Sequence, residues 1–334
     1  MTLKEKLTAK EGIFTNPWII AIIALLCTLL WGSATPFIKI GYSLLLPERG
    51  VPSTILFAGI RFFFAGVLTV IIFSIARKRF LYPKAENIGR VATVSVFQTV
   101  LQYIFFYVGL ANTSGVKGTI LTGSSTFFAI LISSLVFKLE KLSVKKIVAC
   151  VLGLSGIVLI NLNGLDLSMN FLGDGFCVFS AISLAVSSVL IKRFSKYEDP
   201  VTISGYQFIG GGAFMIIIGL CFGGRIDLSS GKGILVLIYL SFLSAIAYSL
   251  WGILLKHNPV SKVTVYSFTT PVFGVLLTML LIDEDSKVKT LNLILALLLV
   301  CLGILILNYQ RQRRVAESAE IKVDMKKETE NERA

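Results

Sequence analysis

Apolar runs recur ten times along the chain, in two sets of five. They cover Trp18–Ile38, Thr54–Ile75, Val91–Leu110, Thr119–Phe137 and Val144–Ile160, then Leu172–Ile191, Val201–Phe222, Ile234–Leu255, Val263–Ile282 and Leu291–Tyr309. Each is about the length a helix needs to cross a bilayer core, roughly 17–25 residues. Helices of soluble domains keep a polar face, whereas these runs are apolar on all sides. Membrane-barrel strands alternate apolar and polar positions over about ten residues, a different pattern at half the length. Lipid admits only helices or closed barrels as spanning structures. The pattern therefore predicts an all-α polytopic membrane protein with ten transmembrane helices.

Composition agrees, with 55% hydrophobic and 15% charged residues. A net charge of +13 would suit a nucleic-acid partner, but the placement of the charge argues against one. With the N-terminus taken as cytoplasmic, 24 of the 32 Lys and Arg residues fall in the tails and loops of that side, and seven on the other. The remaining one, Arg61, lies inside the second span. This is a strong positive-inside bias. It places the protein in the cell (plasma) membrane with both termini cytoplasmic, its partners being the lipid bilayer and a small molecule rather than nucleic acid.

The loops are too short to fold as soluble domains. The first run continues past Leu30 to Ile38 without a small-x-small cleavage site, so it reads as an uncleaved first span. The five Cys residues all lie within spans and form no Cys-x-x-Cys, and the single His257 excludes a paired-His site, so neither metal nor cofactor is expected. No nucleophile elbow or phosphate-binding loop is present. Active transport by such a chain would draw on a gradient of protons or another ion.

The two sets of five are related. Phe37–Lys39 matches Leu190–Lys192 at an offset of 153, Arg61–Gly66 matches Gln207–Gly212 at 146, Lys117–Thr119 matches Lys262–Thr264 at 145, and Gly156–Asn161 matches Gly303–Asn308 at 147. Repeats with an odd number of spans enter the membrane from opposite sides. The halves are thus expected to be two inverted five-helix repeats, an architecture that supports alternating access around a site near mid-membrane. The expected organisation is a cytoplasmic tail (1–17), a first repeat (18–161), a linker (162–171), a second repeat (172–309) and a charged cytoplasmic tail (310–334).

Here a family resemblance becomes specific. Trp31–Lys39, the Arg61-Phe62 start of span two, Gly173-Asp174 opening span six, and Pro271 followed thirteen residues later by Glu284 resemble the ten-span EamA-type permeases of the drug/metabolite transporter superfamily. In the first half Thr126 stands where that Pro would be, and Glu140 matches the Glu. The resemblance covers about residues 18–308. It implies a secondary transporter of a small metabolite such as an amino acid, often an exporter. The alternative from the residues alone is a membrane-embedded enzyme acting on lipid, which would need a cluster of His, Asp or Arg at one interface that the chain lacks.

Several residues are candidates for the substrate site. A charge inside a span costs at least ~2.5–3.5 kcal/mol on insertion scales and should face protein or water, so Arg61 is either a substrate anchor or a snorkelling side chain. Gln98 and Gln102 share one face of span three at i, i+4; they either line a wet cavity or bond between helices. Trp31, Tyr103, Tyr206, Tyr248 and Trp251 are aromatic wall candidates, while Trp18 reads as an interfacial anchor. Ser124 and Thr270 belong to hydroxyl clusters in spans four and nine that suit locally opened helices or close helix packing. The cavity is expected between spans one, three and four of one half and six, eight and nine of the other, lined by Trp31, Gln98, Gln102, Ser124, Tyr248 and Thr270, with Arg61 at or just above it. Asp174 is a weaker candidate for ion coupling, set against simple stabilisation of a helix start.

Overall fold

The structure, a computed structural model, describes residues 13–48, 50–160, 162, 168–281 and 291–307. Asn161, Glu284 and Asn308 from the sequence matches lie outside these residues, as do Lys4, Lys6, Lys10, Arg49, Lys287, Lys289 and the C-terminal tail. The described residues form ten helices and no strand. They are α1 (Pro17–Leu45), α2 (Val51–Ala76), α3 (Ala85–Ala111) and α4 (Lys117–Val136, its first turn opening at Gly115), and α5 (Val144–Ile160). The second half adds α6 (Phe171–Phe194), α7 (Pro200–Cys221), α8 (Gly231–His257), α9 (Val260–Leu281) and α10 (Leu291–Leu307). Eight are long and apolar enough to cross a membrane, and α5 and α10 are shorter.

Local chemistry sets the helix ends. Asn16 caps α1 through Trp18 N at 2.9 Å with Pro17 in its first turn, and Asp199 caps α7 through Val201 N and Thr202 N with Pro200 following. Helix α7 ends in a left-handed glycine, Gly223 at φ 80°, where Gly224 N closes back onto Gly219 O at 2.7 Å. The outer surface is apolar: Ile22 and Leu29 on α1, Val151 on α5 and Leu298 and Leu305 on α10 are all exposed, as a lipid-facing surface requires. Trp18, also exposed, stands at the end of α1 as an interfacial anchor would.

The two halves are inverted repeats, visible contact by contact. Helices α2 and α7 pack so closely that a Cβ on Gly66 would meet Gly205 O at 2.5 Å and Ile209 N at 2.6 Å. A Cβ on Gly212 would meet Gly59 O at 2.8 Å and Phe63 N at 2.4 Å. Adding 146 to Gly59, Phe63 and Gly66 gives Gly205, Ile209 and Gly212, so each contact is the image of the other. Contacting residue numbers rise along α2 as they fall along α7. The helices are therefore antiparallel, and the two-fold axis crosses them, lying in the membrane plane. Further pairs obey the same rule. Cys27 Sγ on α1 donates to Ala247 O on α8 at 3.4 Å, and its image, Ser180 Oγ on α6, donates to Gln102 O on α3 at 2.8 Å. Likewise α1 packs on α8 and α9 as α6 packs on α3 and α4.

Four helices depart from regular geometry, α6 opening on a π turn over Phe171–Gly175. Helix α3 carries a π turn over Val96–Leu101. Helix α4 breaks at Ser124, between Gly115–Gly123 and Ser125–Leu131, and α9 tightens to a 3-10 turn over Val265–Phe268 just before Thr269, the image of Ser124. The hydroxyl clusters of these spans thus lie where α4 breaks and α9 tightens. Thr126 on α4 and Glu140 in the loop after it, from the first-half pattern, both bond to the start of α9. Thr126 Oγ1 donates to Thr264 O at 3.0 Å, and the Glu140 carboxylate accepts from Ser261 N at 3.0 Å and Ser261 Oγ at 2.5 Å.

Candidate functional site

The two-fold axis passes through an aromatic core. Phe62 and Phe208, separated by 146, stack with centroids 5.0 Å apart and planes 5° from parallel. Tyr103 and Tyr248, separated by 145, bring their hydroxyls to 2.9 Å. Both pairs join one repeat to the other at mid-membrane, because an in-plane axis lies there.

Arg61 sits beside this axis, one residue before Phe62. It is 4% exposed, so it does not snorkel. Its Cζ lies 4.2 Å from the Phe62 ring centroid and 5.9 Å from that of Tyr103. The guanidinium is near enough to Tyr42, Tyr107 and Tyr248 to act electrostatically on their hydroxyls. Among the described residues no carboxylate pairs with it, and its Nε and Nη1 have no hydrogen-bond partner. Its image in the second repeat is the neutral Gln207, whose Oε1 accepts from Thr99 Oγ1 at 2.6 Å. The charge at the axis therefore belongs to one repeat only.

Next to this centre lies a cavity of about 170 Å³ between α3, α4 and α6, lined by Gln102, Tyr103, Phe106, Thr122, Ser180, Ala181 and Leu184. It is narrower than the sequence suggests. Of the six expected lining residues only Gln102 contributes; its Oε1 is buried without a partner. Trp31 fills its own side of the axis, packing edge-on against Tyr248 at 5.0 Å and Trp251 at 4.9 Å. Tyr248 belongs to the aromatic core through Tyr103 and Phe208. Gln98 is buried within the π turn of α3, its Oε1 also without a partner. A π turn leaves a backbone locally open and is frequent at functional sites. Ser124 turns its hydroxyl back onto Leu121 O at 2.5 Å, and Thr270 keeps an unpartnered hydroxyl on α9.

Tyr206 is no pocket wall, since its hydroxyl donates to Leu81 O in the loop between α2 and α3 at 3.1 Å. Asp174 is more than a helix-start charge. It is 1% exposed and accepts from Lys117 Nζ at 2.9 Å, Thr113 Oγ1 at 2.5 Å and Asn170 N at 2.9 Å, while Lys117 also donates to Ser168 O. Burial demands such pairing. Tyr42, Tyr107 and Phe208 were not singled out in the sequence, and Phe62 was named only for the family resemblance. The 146 offset that joins Arg61 to Gln207 marks Phe62 and Phe208, and the 145 offset of Lys117 and Lys262 marks Tyr103 and Tyr248; for Tyr42 and Tyr107 the sequence offers no signal.

Known proteins share this architecture. The chain is 25% identical over 266 residues to a chloroplastic WAT1-related protein of Arabidopsis thaliana, a match covering 75% of this chain and 63% of that longer protein. It is 24% identical to the uncharacterized transporter YoaV of Bacillus subtilis over 86% of this chain and 96% of the relative, and 26% identical to an uncharacterized transporter of Synechocystis over 77% and 82%. A crystal structure superposes with a TM-score of 0.73 over 88% of this chain and 98% of its own, at 18% identity, which establishes a shared fold. The EamA-like transporter family matches residues 18–162 and 171–309, one match on each repeat. The chain spans the membrane many times and belongs to the EamA-like transporter family.

Proposed function

We propose that this protein is a secondary transporter that moves a small carboxylate-bearing metabolite, such as an amino acid, by alternating access between its two inverted repeats, in the export direction and with both termini in the cytoplasm. The observation that carries this reading is Arg61: a buried guanidinium at the repeat axis with two nitrogens that have no hydrogen-bond partner among the described residues. A charge at that depth persists when it faces its own partner or a hydrated path. A substrate carboxylate would complete the guanidinium's bidentate geometry. Placing this anchor at the axis lets it face either side as the repeats rock, the requirement of alternating access. Nothing in the family match or the relatives favours the lipid-acting enzyme. The test is reconstitution of the full chain into liposomes of defined orientation, with a panel of labelled amino acids and other carboxylated metabolites. Accumulation or counterflow of a carboxylated solute is expected, with amines lacking a carboxylate excluded. Flux of uncharged or cationic solutes alone would overturn the reading.

A further inference from the structure

The cavity beside Arg61 has an image in the other repeat, and the image is full. Subtracting 153 from Leu184 gives Trp31; adding 145 to Tyr103 and Phe106 gives Tyr248 and Trp251. Trp31 packs edge-on against those two rings. The matching space by Leu184, Tyr103 and Phe106 is the cavity of about 170 Å³. The hydrogen bonds Cys27–Ala247 and Ser180–Gln102 show that the correspondence holds at the cavity itself. The void lies where α6 carries Leu and α1 carries Trp. An apolar cavity of about 150 Å³ is known to hold benzene.

We propose that this cavity is the side-chain subsite of the transporter and takes a planar aromatic ring bearing an N–H donor, seated between Tyr103 and Phe106 as the Trp31 indole is seated between Tyr248 and Trp251. The donor requirement comes from Gln102. It replaces Ala247 of the other half, lines the cavity, is 8% exposed, and has a buried Oε1 without a partner. The other cavity hydroxyls are already engaged: Thr122 Oγ1 donates to Gly118 O at 2.7 Å, Ser180 Oγ donates to Gln102 O, and the Tyr103 hydroxyl pairs with that of Tyr248. A ring N–H would satisfy Gln102, whereas a bare hydrocarbon ring would leave a buried acceptor unpaired and bind at least about fivefold more weakly. Tyr103 is a wall of the cavity and lies 5.9 Å from the Arg61 Cζ. The carboxylate anchor and the ring subsite thus adjoin, and in this the inference rests on the function proposed above.

The test is equilibrium binding of radiolabelled tryptophan and phenylalanine to the purified full chain in detergent, with folding checked by gel filtration and circular dichroism. Tryptophan is expected to bind saturably and phenylalanine at least about fivefold more weakly. Leu184→Trp gives α6 the side chain that α1 has at this place and should lower tryptophan binding at least tenfold; Ala181→Phe, which fills the cavity from another wall, should do the same if the first variant misfolds. Gln102→Met should erase the preference for tryptophan over phenylalanine. Absence of saturable tryptophan binding, or unchanged binding in a folded Leu184→Trp or Ala181→Phe variant, overturns the subsite. Arg61→Ala separates the two claims. If it loses tryptophan while the cavity-filling variants keep it, the carboxylate anchor stands and the ring subsite falls; the reverse pattern keeps the ring subsite and removes the anchor.

Discussion

Tyr103 and Tyr248 occupy the same place in their two repeats, and their hydroxyls meet at 2.9 Å across the axis that relates them. A contact on a two-fold axis is shared equally, so neither half owns it. Any movement of one repeat against the other must lengthen or turn this bond.

Tyr103→Phe and Tyr248→Phe each remove that bond while keeping both rings. Each should cost about 0.5–1.5 kcal/mol in stability, and the double variant should cost little more than either single change, because both delete one interaction. Thermal unfolding in detergent measures this; additive losses would show that the two hydroxyls act separately.

Gly66 and Gly212 let α2 and α7 meet backbone to backbone. Gly66→Val or Gly212→Val should destabilise by about 1–3 kcal/mol or more through overpacking, since the added Cβ meets carbonyl and amide atoms of the facing helix rather than a side chain that can move. Gly89, with nothing within 4 Å of an added Cβ, is the control, and Gly89→Ala should leave the melting temperature nearly unchanged. Equal melting temperatures for Gly66→Val and Gly89→Ala would contradict the packing.

Much of this was legible in the sequence because lipid leaves few options. Ten apolar runs gave the helix count, and four ordered matches at offsets of 145 to 153 gave the repeat. Arg61 stood out because charge inside a span is rare. The sequence was weaker on the site because side-chain direction and filling are tertiary. Trp31 was expected to line a cavity and instead occupies its own half of the pseudosymmetric space, leaving the void where Leu184 stands. Tyr206 was apolar-span aromatic like Tyr103, and only the packing sends its hydroxyl to Leu81. The π turn that holds Gln98 has no signature in residues 96–101 that distinguishes it from a regular helix.

Asp174 and Lys117 form a buried ion pair, and removing one partner strands the other. Asp174→Asn or Lys117→Met should lower stability by about 3–5 kcal/mol, with much of the loss recovered in the double variant. A structural role predicts that the folded double variant keeps the pH dependence of transport. Loss of that dependence in a stable double variant would instead assign Asp174 to ion coupling.

The 24-to-7 distribution of basic residues is the basis for proposing that both termini are cytoplasmic. A reporter fused after Leu307, at the end of α10, should be active in its cytoplasmic form. A signal from the opposite compartment would reverse the orientation while leaving the inverted fold unchanged.

The most direct test of the central claim gives Arg61 the residue that its own image carries. Counterflow in proteoliposomes, using a carboxylated substrate from the panel, compares wild type with Arg61→Gln at matched protein content and matched melting temperature. Loss of a buried charge-assisted pair costs about 2–5 kcal/mol, so the account predicts a fall in flux of at least about thirtyfold with folding retained. Wild-type flux from Arg61→Gln would contradict it.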